Sequence, residues 1–331
     1  MSGNWKNAIV ATIFTMLFSF ALPALAQFSQ EDFGTRITIK SIPEIPGAHE
    51  TVTVSLSAVS YDLNKASIKW LVGGKETDSG IGKTSTSVKT GNTGSETTVS
   101  AVITFGSLST TKKLIIRPAE VTLLWQAPDS YTPPFYKGKA LPASEALIRV
   151  VALPSLKDKS GKALKEKDFS YTWKRNYDAN SGSSGYGKNS FVFRNSFMND
   201  TETIEVTASS VSGGYVAKRS VTIPLYTPFV TVYEDRPLIG TKYETALNNT
   251  FAMNTEETTL VAEPYFFSPG YLESSDLKID WRVDGQIVST YPKNRLVIRS
   301  GGSGSVSIRL SAENTTKLFQ SLTKNLTVQL P

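Results

Sequence analysis

The sequence predicts an all-β fold: three tandem β-sandwich domains behind a cleaved signal peptide. Three observations predict it. A unit of roughly 100 residues recurs three times, each copy carrying one tryptophan inside a run that alternates apolar and polar residues. Such alternating runs are short and divided by turn residues, and no stretch shows a helical period. The 331-residue chain has no cysteine, so its domains must be large enough to fold on apolar burial without disulfides.

The leader comes first. Lys6 supplies a positive start, Ala8 to Leu22 is an apolar run, Pro23 breaks it, and Ala24-Leu25-Ala26 reads as an A-x-A cleavage site. The run is short for a membrane span, which takes about 20 residues. The expectation is a secreted or extracytoplasmic protein whose mature chain starts at Gln27, with no transmembrane segment. Without cysteine, a lipoprotein anchor is excluded. Lys6 is the one charge in the leader, so a formal net charge of +6 becomes about +5 in the mature chain. Spread over so many residues, that is mild and demands no acidic partner. Residues 27–35 (QFSQEDFGT) read as a loose N-terminal segment.

The repeat is clearest around the tryptophans. ASIKWLVGG (66–74), FSYTWKRNY (169–177) and LKIDWRVDG (277–285) place Trp70, Trp173 and Trp281 on one face of a strand with residues two and four back. These are the expected core tryptophans. A strand precedes each: TVTVSLSAV (51–59), ALIRVVALP (146–154) and TTLVAEPYF (258–266). Two strands follow each; the first are TTVSAVITF (97–105), ETIEVTASS (202–210) and SVSIRLSAE (305–313). The second are TKKLIIRP (111–118), AKRSVTIP (217–224) and LTKNLTVQLP (322–331). Gly73-Gly74 and Asp284-Gly285 read as tight hairpin turns, whereas copy two is expected to make a longer Gly/Ser excursion, DANSGSSGYG (178–187). Short alternating strands with one core tryptophan on a central strand are the profile of an immunoglobulin-like sandwich, here without the inter-sheet cysteines. The expected domains are 36–118, 119–226 and 227–331. Their short, proline-bearing junctions predict a stiff rod.

The segments DLNKASIKWLVGGKETDSGIGKTS (62–85) and AEVTLLWQAPDSYTPPFYKGKALP (119–142) carry a finer resemblance. The chain resembles uncharacterised exported tandem Ig-like repeat proteins of candidate-phylum bacteria. The resemblance implies secretion and repeated modules, and brings no activity with it.

Residue types that could do chemistry are few. His49 is the lone histidine, so Ser-His-Asp and Cys-His hydrolysis have almost no material, and no His/Cys set makes a zinc site. SGIGKTS (79–85) superficially suggests a phosphate loop, but its glycine spacing is wrong and its context is β. Glu256-Glu257, Asp200 with Glu202, and Glu273 with Asp276 are read as solvated loop acids rather than a glycosidase pair. Asp62, Asn64, Asp129, Glu234 and Asp235 could contribute to structural calcium but form no recognisable box. No cofactor, no catalysis and no nucleic-acid partner are expected.

The candidate binding loop is SYTPPFYKGKALPAS (130–144), with Tyr131, Phe135, Tyr136, Lys137 and Lys139. In register it is the connection between a copy's first two strands. Copy three makes a connection of similar outline, and copy one only a short one. It reads either as a cap over the end of the copy-two sandwich or as an outward aromatic-basic surface. The functional expectation is a non-catalytic structural or interaction protein that binds an envelope protein or glycan through loops. The alternative is a carbohydrate-binding or enzyme-accessory module, with Tyr131, Phe135, Tyr136, Tyr186, Phe266 and Phe267 forming an aromatic strip.

Overall fold

A computed structural model describes residues 30–59, 61–134, 136–156 and 162–331. The leader, Phe135 and the cleavage site lie outside the described residues. The described residues divide into two compact units: residues 30–44 with 51–88 and 97–116, and residues 45–50 with 89–96 and 117–331.

The first unit holds copy one. A short helix α1 (Gln30–Thr35) leads into β1 (Ile37–Ile42), β2 (Thr51–Ala58), β3 (Ser67–Val72), β4 (Lys75–Ile81), β5 (Ser85–Lys89), β6 (Thr97–Phe105) and β7 (Leu108–Ile116). One sheet has the order β1-β2-β5, the other β4-β3-β6-β7. Inward residues of both, among them Val52, Val54, Ile68, Val99 and Ile103, close around Trp70. The expectation of a loose leader is corrected from residue 30 on. Phe33 is fully buried, with its ring 4.9 Å from Tyr61 in an edge contact, and this apolar anchor ties the segment down.

The second unit contains copies two and three. Copy two runs β8 (Glu120–Gln126), β9 (Leu147–Ser155), β10 (Phe169–Arg175), β11 (Asp178–Tyr186), β12 (Ser190–Arg194), β13 (Thr201–Ser210) and β14 (Val216–Pro224). Its sheets, β12-β9-β8 and β11-β10-β13-β14, repeat the copy-one topology around Trp173. Copy three starts with β15 (Phe229–Arg236), β16 (Gly240–Ala246), β17 (Thr250–Ala252) and β18 (Glu257–Tyr265). It continues with β19 (Leu277–Val283), β20 (Gln286–Val288), β21 (Arg295–Arg299), β22 (Gly304–Asn314) and β23 (Ser321–Leu330). The sheets are β16-β15-β18-β21 and β17-β23-β22-β19-β20 around Trp281. Each copy is thus a two-sheet sandwich of immunoglobulin type, with the strand that follows the tryptophan strand paired beside it. Copy three adds two strands, and β17 pairs with β23 in parallel.

The turns explain the hairpins. Gly73, Gly74, Asp284 and Gly285 all have positive φ, as a two-residue turn that matches strand twist requires. Copy two makes the same turn with Asn176 (φ 49°) and Tyr177 (φ 74°), which corrects the reading of 178–187 as an excursion. Those residues form β11, and its extra residues are held locally. Ser184 Oγ accepts from the Trp173 N–H and donates to the Asn180 carbonyl, while Asn180 Oδ1 accepts from the Ser183 N–H. The bulge bends this edge strand and blunts it against pairing with other chains.

A second repeat explains SGIGKTS. Its twin in copy two is SGYGKNS (184–190). Gly82 (φ 72°) and Gly187 (φ 69°) donate to the carbonyls of Ala66 and Phe169, turning the chain so that the next residue offers its carbonyl inward. Trp70 Nε1 donates to Lys83 O at 2.7 Å, and Trp173 Nε1 to Lys188 O at 2.9 Å. Trp281 Nε1 reaches Lys293 O at 3.0 Å. The glycine–lysine text satisfies the indole N–H of Trp70 and Trp173, and Pro292-Lys293 does the same for Trp281; the text is unrelated to phosphate.

Candidate functional site: the joint between copies two and three

The 130–144 connection leaves β8 and runs onto copy three. Its base is fixed first. Asp129 Oδ1 accepts the Leu147 N–H at 2.8 Å, and Ser130 Oγ donates to Leu141 O at 2.5 Å. From there Tyr131 is presented to copy three as a backbone bridge. Its N–H donates to Phe267 O and its carbonyl accepts from the Phe266 N–H, both at 2.8 Å. Phe266 takes the left-handed conformation (φ 65°) at this bridge, an uncommon posture for an aromatic residue.

The Tyr131 side chain continues inward. Its hydroxyl donates to Glu263 Oε2 at 2.5 Å, and the Tyr243 hydroxyl donates to Glu263 Oε1 at 3.0 Å. Glu263, on β18, is 2% exposed and Tyr131 6%. Burial pushes the Glu263 carboxyl above its usual range, against the two tyrosine hydroxyls and the Arg295 charge. Burial and then Glu263 raise both tyrosines, with Tyr243 pushed up to about 12. Around this pin lie interlocked rings. Tyr136 meets Tyr265 edge-on at 5.8 Å, and Phe229 stacks on Tyr265 at 4.7 Å.

A second set of contacts closes the far side. The Leu318 N–H donates to Glu145 Oε2 at 2.7 Å. Gln320, fully buried, donates from Nε2 to Ser144 O at 2.5 Å and accepts the Ser268 N–H at Oε1. Phe197 and Phe319 bring their rings within 5.8 Å.

The structure therefore distributes the candidate loop residues. Tyr131 is buried in the joint, Tyr136 lies over it partly exposed, and Lys137 is exposed. Lys139 returns to its own sandwich, with Nζ 3.6 Å from the centroid of the Trp125 ring. The cap envisaged over copy two is instead a contact with copy three. As for the aromatic strip, Tyr131, Phe266 and Phe267 are buried and offer no face to a sugar ring, while Tyr186 is exposed on β11.

Several of the acids singled out in the sequence are engaged within the fold. Glu202 is not a loop residue: it sits fully buried on β13, gripped by Arg175 at 2.9 and 2.6 Å, by Asn176 Nδ2 and by the Ser196 N–H. Glu257 opens β18 and pairs with Arg299. Asp62 accepts from Asn64, Asp235 from Arg295 and Thr241, and Glu234 from Arg236. Among the described residues no group of three His, Asp or Glu is placed to hold a metal. His49 is exposed, at a left-handed position (φ 57°).

Sequence reasoning missed Glu263, Tyr243 and Gln320. One signal was present: TTLVAEPYF carries a single acid inside an apolar strand, and such an acid must find a partner when both faces are covered.

The joint gives a pH-dependent expectation. Because the folded pKa of Glu263 is raised above its ordinary value near 4.5, its contribution is fully present below that value and is lost as pH rises through the folded pKa. Glu263→Gln should flatten this arm, and Tyr131→Phe should loosen the joint by about 1–3 kcal/mol. Denaturant midpoints between pH 4 and 8 check both; a Glu263→Gln profile parallel to the wild type would contradict the assignment.

No helix among the described residues is long and apolar enough to cross a membrane. No protein-family model matches the chain, and no curated protein matches it. Among solved structures, the chain is similar to fibronectin(III)-like modules of Clostridium thermocellum CbhA, at 12% identity and a TM-score of 0.28, covering 57% of this chain and 94% of that one. The three N-terminal domains of the bacteriophage RB49 outer capsid protein Hoc match at 11% identity and a TM-score of 0.26, covering 89% and 97%. Sidekick-1 immunoglobulin domains 1–5 match at 12% and 0.22, covering 89% of this chain and 59% of that one.

Proposed function

We propose that the chain is an exported, non-catalytic interaction protein. Its Ig-like domains, 36–118, 119–226 and 227–331, present loops and strand edges to an envelope protein. The observation that carries this reading is the fate of its reactive-looking residues. Glu202, Glu263, Glu257, Tyr131 and Lys139 are all engaged by partners within the fold. In the joint, Tyr131 and Tyr136 serve first to fix copy two against copy three, so that both present one composite surface.

The test is a pull-down from envelope extract with the mature chain, run beside a glycan array. A defined envelope protein retained through moderate salt, with no glycan hits, is the expected result. Selective glycan hits without a retained protein would replace this reading with the carbohydrate-binding one.

A further inference from the structure

The three copies treat the outer edge of their last strand differently. In copy one, helix α1 packs against β7. In copy three, β17 lies in parallel on β23, pairing Thr250 with Thr327 and Ala252 with Gln329. In copy two, β14 is the outermost strand of its sheet; β8 of the other sheet packs beside it without strand pairing, and a cleft of about 520 Å³ opens between the two. One wall of that cleft is Lys218–Val221 of β14, another is Ala119–Leu123, including the first half of β8, and Ile45, Gly47 and Glu50 complete the lining. Its volume falls within the usual span for ligand clefts, about 300–1,000 Å³.

Copy three shows what such an edge accepts. The Thr327 N–H donates to Asn249 O at 2.7 Å, and the Met253 N–H donates to Gln329 O at 2.9 Å, so Thr327 and Gln329 turn their backbone groups outward. The tryptophan register carries this to copy two. Trp281 faces Leu310, which faces Lys324; Trp173 faces Val206, which faces Arg219. Thr327 therefore corresponds to Thr222, and by the period of two Ser220 and Lys218 share its outward set. The β13–β14 pairing runs unbroken over nine residue pairs, so no bulge disturbs that parity. A long, regular, unbulged edge is a template for another strand. The β11 edge of the opposite side, by contrast, is bulged.

We propose that the β14 edge is a strand-addition site for an extended segment of a partner protein. That segment has large apolar side chains at alternate positions, like Phe251 in β17 and Met253 just after it, and an acidic residue within reach of Lys218 and Arg219. Its apolar side chains meet Val121, Leu123 and Val221, and its backbone pairs with Lys218 and Ser220. The inference rests on the reading of the chain as an interaction protein and specifies how the partner is held.

The probe is a synthetic peptide copying residues 248–256 (NNTFAMNTE), added to the isotope-labelled mature chain. The expected result is a saturable set of amide shifts at Lys218, Ser220 and their β14 neighbours, with hydrogen exchange at Ser220 slowed about ten-fold at saturation. Ser220→Pro removes one outward N–H at an edge position that tolerates proline, and should abolish the effect; Ser220→Ala should retain it. Shifts confined to other strands, or equal in Ser220→Pro, overturn the proposal. The pull-down separates the two readings. A partner retained equally by Ser220→Pro rejects the edge site and leaves the interaction role standing. Peptide addition at β14 with no partner in the extract does the reverse.

Discussion

Alanine in place of Trp173 is expected to destabilise copy two by about 3–5 kcal/mol, the range for emptying a buried large aromatic site. The indole is fully buried, packs on Phe191 at 5.8 Å, and lies between sheet faces that also bury Phe169, Tyr171, Ile204 and Val206. Its loss leaves a cavity in a core with no disulfide to hold it, and orphans the Lys188 carbonyl that accepts its N–H. Trp173→Phe separates the two effects. It keeps most of the volume and loses the hydrogen bond, so a smaller loss of about 1–3 kcal/mol is expected. Urea titration followed by circular dichroism reads both, taken on the lowest transition because several cores need not unfold together. An alanine variant with a loss under about 1 kcal/mol would show that the tryptophan is not the centre of this core.

The second large effect is at Arg175. Its guanidinium holds both oxygens of Glu202, and removing one member of a buried pair typically costs about 3–5 kcal/mol because the other charge is stranded. The sign of the pH response identifies the cause. Burial pushes the Glu202 carboxyl up, but Arg175, Ser196 and Asn176 outweigh it and hold it below its ordinary value near 4.5. In the wild type this contribution is present above that value and lost as pH falls through the lowered folded pKa. In Arg175→Ala burial dominates and raises the Glu202 pKa, so the variant's deficit should shrink as pH falls from neutral through that raised pKa toward the lowered one of the wild type. Arg175→Ala combined with Glu202→Gln should recover part of the loss at neutral pH. A deficit that is flat with pH, with no recovery in the double variant, would point to lost packing on Phe193, over whose ring Arg175 also lies at 4.5 Å.

Local pattern made much of the fold legible. Trp70, Trp173 and Trp281 mark the central strands because alternation is a property of a few neighbouring residues. The predicted strands 97–105, 202–210 and 305–313 lie within β6, β13 and β22. Asn176-Tyr177 was missed because nothing short-range marks tyrosine for positive φ; the hairpin imposes it. Strands β16 and β17 were illegible for a different reason. Both lie in the connection that had been matched to the copy-two loop, and β17 exists because β23, some eighty residues away, offers it an edge. The joint was hidden in the same way. Tyr131 and Glu263 are 132 residues apart, and neither carries a local sign of the other.

The tyrosine pin also writes an order into the chain. The strand registers align Glu263 with Leu153 in copy two and with Ser57 in copy one, through the matched bonds of Ala262, Ala152 and Leu56 to the residues after the tryptophan acceptors. A duplicated copy two set behind itself would turn the Tyr131 hydroxyl onto leucine. A copy one in that place would offer it a short serine. These modules are alike in topology but not interchangeable as building blocks: a permuted or duplicated array would lose the buried acceptor for Tyr131, and this seam works as an address that admits one successor.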